Sequence, residues 1–216
     1  MPSEADIRRA IARHGKSLYD RRYAHGSSGN ISVRLPDEIL PGGMLITPTN
    51  SCMGDLEPER ISKVAEDGTL LAGDPPSKEA FLHLAMYRAR PAARAVVHLH
   101  CTHAVCVSCL ADVDAENVLP PITAYYVMRI GKLPLVPYFR PGDRGLADAV
   151  GALAADHHAV LLANHGPVVA GKSLEDAVYN AEELEETARL YLMMEGRRTR
   201  WLTSGQIDDL GRHFPS

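Results

Sequence analysis

The run Ala95-Val96-Val97-His98-Leu99-His100 constrains this chain more than any other segment. Val96, Val97 and Leu99 read as a short buried strand. Side chains two apart on a strand point the same way, so His98 and His100 emerge side by side. A second apolar strand, Ala159-Val160-Leu161-Leu162-Ala163, runs into Asn164-His165-Gly166. Any fold of this chain buries both strands. If their ends meet, three imidazoles converge, and three neutral histidines with open positions are a usual catalytic-metal set. A lone His-x-His is more often a core or surface feature. Two strand-end sites in one chain favour the metal.

The other segments predict strands mixed with helices. Residues 5–24 form an amphipathic helix with Ile7, Ala10, Ile11, Leu18 and Tyr19 on one side, broken by Gly26-Ser27-Ser28-Gly29. Strands follow at Ile31–Leu35 and Met44–Ile46, then a hairpin through Lys63-Val64-Ala65, Asp67-Gly68 and Leu70-Leu71-Ala72. Pro75-Pro76-Ser77 introduces a helix to about Arg88, and a further helix follows the His98 strand. Leu133 to Val136 is a strand. Pro141-Gly142-Asp143 starts a helix over 143–154, with Asp143 as a cap. Val168-Val169-Ala170 returns from the His165 strand as a hairpin. Ser173 and Asp176 open the longest helix with a capping-box-like start, ending near Glu195. This pattern predicts an α/β fold, a mixed sheet covered on both faces.

Composition narrows the classes. The 216 residues are 45% hydrophobic and 23% charged, which suits one domain over 1–216 with a substantial core. With 23 basic and 27 acidic residues and no basic block, nucleic acid is not an expected partner. No apolar stretch is long enough for a bilayer, and the start lacks a signal-peptide pattern, so the expected location is cytoplasmic. Four cysteines occur. Cys106 and Cys109 form a C-x-x-C with no second ligand pair at matching spacing, and read as small buried helix residues rather than a zinc knuckle.

Glu79 follows Ser77-Lys78 in the first turn of a predicted helix, where amides and the helix dipole favour anions. A carboxylate there is able to accept a proton beside a metal or to ligate it, although such glutamates are also common without function. Ser28-Gly29-Asn30, Thr47-Pro48-Thr49-Asn50 and Pro76-Ser77-Lys78 are turns whose amides and hydroxyls suit a phosphate, though ordinary turn chemistry explains each one singly.

Gly29-Asn30-Ile31-Ser32-Val33-Arg34, Ile46-Thr47-Pro48-Thr49, Pro76-Ser77-Lys78-Glu79, Val97-His98-Leu99-His100 and Asn164-His165-Gly166, taken in this order, resemble the class II aldolase/adducin family from about Arg9 to Met194. The resemblance implies an α/β/α sandwich around a largely antiparallel sheet, assembled as a C4 homotetramer with active sites between subunits. It implies His98, His100 and His165 as metal ligands, with Glu79 as the acid/base carboxylate that also ligates the resting metal. By family habit the metal is Zn²⁺, with Mn²⁺, Co²⁺ or another divalent ion possible. Ser28, Gly29, Asn30, Thr47, Asn50, Ser77 and Lys78 fall in or beside the segments that hold substrate phosphate. Tyr125 falls near a proton-donor tyrosine supplied by a neighbouring subunit, with Tyr126 as the fallback.

The shared chemistry implied is a metal-bound enediolate, reached by losing an aldehyde or carbon dioxide. A sugar-acid phosphate carries a carboxylate besides its phosphate and needs extra cations. Lys78, Arg129 and Arg140 are the candidates, although either arginine alone also suits an ordinary salt bridge. The segments around Glu79, Tyr125–Gly131 and Tyr138–Asp143 are similar to the branch that decarboxylates a 3-oxo-tetronate 4-phosphate to dihydroxyacetone phosphate and carbon dioxide. The alternative is retro-aldol cleavage of a sugar 1-phosphate resembling fuculose phosphate.

Overall fold

The structure, a computed structural model, describes residues 2–140 and 142–214. Helix α1 (Glu4–Asp20) buries Ile7, Ile11 and Leu18 along one face, and Ser3 caps it in a reciprocal box with Asp6. It stops short of the expected residue 24. Arg22 turns left-handed at φ 65°, and the N–H groups of Arg22 and Tyr23 bond back to the carbonyls of Tyr19 and Leu18. That is the Schellman arrangement, here without the usual glycine, which is why no glycine signal marks it.

Then come β1 (Asn30–Arg34), β2 (Met44–Ile46), β3 (Ser62–Val64), β4 (Leu70–Ala72), α2 (Ala80–Ala89), β5 (Ala95–His98) and α3 (Thr102–Ser108). The second half holds α4 (Ala124–Arg129), β6 (Leu135–Val136), α5 (Gly145–Ala154), β7 (Ala159–Leu162), β8 (Gly166–Gly171), α6 (Leu174–Met193) and α7 (Ser204–His213). The strands form one sheet in the order β4-β3-β2-β1-β5-β8-β7-β6. Every named pairing is antiparallel except β6 with β7, which α5 connects as a crossover.

Alternation along the strands sorts side chains into two cores. Val97, Leu45, Leu161 and Val169 pack in a layer with residues of α1, α3, α4 and α6. Val96, Met44, Ile46, Val160, Leu162 and Val168 pack with α2 and α5. The result is an α/β/α sandwich around a largely antiparallel sheet. Both expected hairpins, β3–β4 and β7–β8, are present.

Several local readings change. Cys106 and Cys109 are exposed, not buried. Helix α3 buries Ala104, Val107 and Ser108; Cys106 lies off that stripe and Cys109 is the C-cap. Pro141 lies outside the described residues, and α5 begins at Gly145 with Arg144 rather than Asp143 as its N-cap; Asp143, one residue earlier, accepts from the Gly145 N–H at 3.0 Å. Ser173 accepts from the Asp176 N–H, while the Asp176 carboxylate takes the N–H of Lys172 rather than closing a box on Ser173. Helices α4 and α7 have no counterpart in the sequence reading. Both begin on a threonine cap, Thr123 and Thr203, and they pack against one another.

Candidate metal centre

The antiparallel register sets Asn30 of β1 opposite His98 of β5, and His98 opposite Val168 of β8. Three chain segments therefore meet at one end of the sheet. His98 closes β5, His100 lies two residues beyond, and His165 sits in the β7–β8 turn. Asn164 makes that turn with a left-handed backbone, φ 56°, a conformation its short amide side chain tolerates. Two glycines permit the approach. A Cβ on Gly29, φ 76°, would stand 2.8 Å from the His98 carbonyl oxygen; one on Gly166 would stand 2.2 Å from that of Leu99.

The ring nitrogens converge. His100 Nε2 is 3.0 Å from both His98 Nε2 and His165 Nε2. The three rings stand edge to face, with centroids 4.6 to 4.9 Å apart. His98 Nδ1 is 2.8 Å from the Pro167 carbonyl, which only accepts. The Nδ1 therefore carries the hydrogen and Nε2 presents a bare lone pair to the centre, the tautomer a metal ligand needs. Glu79 is the N-cap residue of α2 rather than part of its first turn, and its side chain does not cap. Its carboxylate turns to the histidines, with Oε2 3.4 Å from His98 Nε2 and Oε1 3.2 Å from His165 Nε2. Donor atoms from all four residues lie within 4.8 Å of one another. In a tetrahedral site with bonds of 2.0–2.1 Å, neighbouring donors stand about 3.3 Å apart. The four residues fit a divalent cation.

Electrostatics agree with that donor set. Burial alone would raise the Glu79 carboxyl, but His98, His165 and the Asn30 amide outweigh it and hold the group well below the usual carboxylate range. Burial pushes His98 down, and burial together with His98 and His165 pushes His100 down to about 3. Glu79 is thus ionised while His98 and His100 are neutral, the protonation states that ligation requires.

Behind Glu79 lies a network that the sequence reading did not identify. Asn30 Nδ2 donates to Glu79 Oε2 at 2.7 Å and to Ser77 Oγ at 3.0 Å. Asn30 Oδ1 meets His83 Nε2, His83 Nδ1 is 2.7 Å from Ser32 Oγ, and Ser32 Oγ is 2.8 Å from the Tyr87 hydroxyl. Asn30, Ser32, His83 and Tyr87 are all buried. On the other side, buried Glu185 of α6 accepts from the N–H groups of His103 and Ala104, anchoring α3 just after His100. Only the alternation of polar residues in β1 hinted at the first network, and nothing local pointed to Glu185.

The remaining predicted residues divide. Ser77 Oγ also accepts from the Glu79 N–H, and buried Thr47 takes the N–H of Ile31. Ser28 bonds the His25 carbonyl, Asn50 is exposed with φ 56°, and Lys78 is exposed beside Glu79. Tyr125 is 65% exposed on α4, whereas Tyr126 is wholly buried in the core, where burial raises its hydroxyl pKa. Arg129 Nη1 bonds Asn180 Oδ1, and Arg129 lines a cavity of about 470 Å³ with Gly171 and Lys172, at the end of β5 away from His98. Within one chain Tyr125 and Arg129 stand outside the cluster; a role for either at a centre of this kind requires a second copy. Arg140 pairs with Asp143 at the surface.

The chain belongs to the class II aldolase and adducin family. Residues 9–192 match the family model described as "Class II Aldolase and Adducin N-terminal domain". A 3-oxo-tetronate 4-phosphate decarboxylase of Escherichia coli strain K12 is 53% identical over 207 residues, 96% of each chain. An L-fuculose phosphate aldolase of Methanocaldococcus jannaschii is 36% identical over 82% of this chain and 91% of its own. The crystal structure of Escherichia coli YgbL superposes with a TM-score of 0.92 at 52% identity, covering 96% of this chain and 98% of that one.

Proposed function

We propose that this protein decarboxylates a 3-oxo-tetronate 4-phosphate, giving dihydroxyacetone phosphate and carbon dioxide. The carrying observation is its 53% identity, across 96% of both chains, to a protein of that name. The presence of Glu79 and the three histidines in one cluster supports it. Glu79, His98, His100 and His165 would hold a divalent cation, proposed as zinc for its affinity for imidazole, with manganese or cobalt as substitutes. Bound there, the cation would supply a Lewis acid for negative charge developing on the substrate's keto oxygen.

In the reaction the bond between the carboxylate carbon and its neighbour breaks. Its electron pair moves toward the keto group, and the neighbouring carbon then takes one proton. Glu79, ionised at rest and braced by Asn30, is the carboxylate proposed to take a proton from solvent and pass it to that carbon. The exposed Tyr125 of a neighbouring copy is the other proposed source. Ser28, Gly29, Asn30, Thr47, Asn50, Ser77 and Lys78 form the loops proposed to receive the phosphate. Arg129 is proposed as a carboxylate contact only across a subunit boundary. Assembly into a homotetramer is proposed with it, since Tyr125 and Arg129 stand outside the cluster within one chain. The continuous sheet supports reading residues 1–216 as one domain. No described helix is long and apolar enough to cross a membrane.

The 36% identity to an L-fuculose phosphate aldolase supports a second reading, retro-aldol cleavage of a sugar 1-phosphate. Incubating the zinc-loaded protein with synthetic 3-oxo-tetronate 4-phosphates and with sugar 1-phosphates separates the two. Carbon dioxide with dihydroxyacetone phosphate is expected. A free aldehyde from the sugar 1-phosphates alone would establish the second reading instead.

A further inference from the structure

We propose that His83 is a positioning residue for Glu79, acting through Asn30 to hold the nitrogen end of the Asn30 amide against the carboxylate. This rests on the reading that Glu79 works on the substrate. The argument follows from which atoms are able to donate. A carboxylate at the centre of three imidazoles offers only acceptors, so the Asn30 atom 2.7 Å from Glu79 Oε2 is its nitrogen. The amide oxygen then faces His83 Nε2, and an amide oxygen only accepts, so Nε2 carries the hydrogen. His83 is fully buried, and among the described residues its two ring nitrogens meet only Asn30 and Ser32, neither of them charged, so the ring is neutral and Nδ1 is bare. Ser32 spends its single hydrogen on Nδ1, 2.7 Å away, and must accept from the Tyr87 hydroxyl at 2.8 Å. Four groups thus donate in one direction: Tyr87 to Ser32, Ser32 to His83, His83 to Asn30, Asn30 to Glu79.

The consequence is an orientation lock. Turning the Asn30 amide over would set oxygen against the Glu79 carboxylate and N–H against the His83 N–H, and moving the His83 hydrogen to Nδ1 to relieve the second repulsion would reverse Ser32 and leave the buried Tyr87 hydroxyl hydrogen with no acceptor among the described residues. Without the His83 donor only the first repulsion remains, while the amide oxygen is left buried with no partner. The network is itself anchored. Arg34 lies over the Tyr87 ring at 4.7 Å and bonds the Tyr87 carbonyl at 2.6 Å. Asn30 thereby holds Glu79 from behind, with the carboxylate facing the His98 and His165 ring nitrogens.

The test begins with histidine-selective ¹⁵N labelling of the zinc-loaded protein. Long-range ¹H–¹⁵N correlations should show His83 protonated at Nε2 alone and His98 at Nδ1 alone. His83 protonated at Nδ1, or at both nitrogens, would overturn the proposal. Two variants supply the kinetic arm. His83→Gln keeps an N–H for Asn30 and should hold kcat within a few-fold. His83→Leu should lower kcat about 10- to 100-fold, the usual cost of removing a partner behind a metal-facing group, with KM changed little and zinc content unchanged. A folded, zinc-bound His83→Leu protein with wild-type kcat would refute it, as would a His83→Gln protein as impaired as His83→Leu. If His83→Leu fails to fold, the tautomer and His83→Gln still decide. If the unaltered protein releases no carbon dioxide, the proposed function fails, while the tautomer measurement judges the lock separately.

Discussion

Asn30 and His98 are partners across the antiparallel junction of β1 and β5, so the amide that braces Glu79 and a ring nitrogen that faces Glu79 come from adjacent strands. The carboxylate stands between them at the mouth of α2. Removing its charge leaves the three imidazoles of the cluster in place.

Glu79→Gln keeps the shape and the Asn30 contact but loses the charge and the capacity to carry a proton. We expect kcat to fall by about 10²- to 10⁴-fold, the usual worth of a positioned acid or base, while bound metal stays above half of the wild-type content. Kinetics combined with elemental analysis check this. Wild-type turnover would remove Glu79 from the chemistry.

Chelation should abolish activity, and zinc or manganese should restore it. The same treatment should lower the unfolding temperature, because a ligand at 100 times its Kd contributes about 2.7 kcal/mol to the native state. His100→Ala should reproduce both losses without rescue by added metal. Thermal unfolding with and without chelator measures the stability half, and an unmoved midpoint would argue against a cation at these four residues.

Burial pushes His83 down to about 3 from an ordinary 6.5, and burial also lowers His158. The folded state thus resists protonation that the unfolded chain accepts. The stability contributed by neutral His83 is complete above about pH 6.5 and declines as pH falls toward 3, by up to about 1.4 kcal/mol per pH unit, and His158 adds a loss of the same sign. Denaturant unfolding between pH 7 and pH 4 should show this slope. In His83→Gln, which has no proton to gain there, the slope should be shallower by about one proton.

Gly166→Ala should be destabilised by about 1–3 kcal/mol and should lose activity. Its new Cβ meets the Leu99 carbonyl, which is backbone and yields only if the His98–His100 segment moves. Urea unfolding and metal content report the two effects together. A neutral substitution would show that the segment has room to shift.

Tyr126 and Tyr125 should respond in opposite ways. The Tyr126 hydroxyl is buried with no hydrogen-bond partner among the described residues, so Tyr126→Phe should keep activity and match or exceed the wild-type unfolding temperature. Tyr125→Phe, on an exposed side chain, should leave stability unchanged and lower kcat if a neighbouring copy uses it. A drop of several degrees for Tyr126→Phe would reveal a partner for its hydroxyl.

Much of this protein is legible in local patterns. Val96, Val97, Val160 and Leu161 declare strands by composition and alternation, and the two hairpins by their turn residues. His98 and His100 declare a shared direction because the side-chain period of a strand is two. Glu79 and His165 were visible as residues beside turns. None of these signals depends on distant parts of the chain.

What the local signals leave open depends on contacts between residues far apart in sequence. Asn30 and Ser32 alternate with Ile31, and such alternation fits a face in water as well as a face against a helix. Packing of α2 on that face buries them, and burial obliges each polar atom to find a partner, which His83 and Tyr87 supply from 53 and 55 residues away. The same dependence governs the end of α1 at Arg22, the exposure of Cys106, the separation of buried Tyr126 from exposed Tyr125, and the placing of Arg129 at the far end of β5. Side-chain chemistry and periodicity named the ligand candidates; only the assembled sheet determined what stands behind them, because a hydrogen-bond partner is chosen by proximity in space.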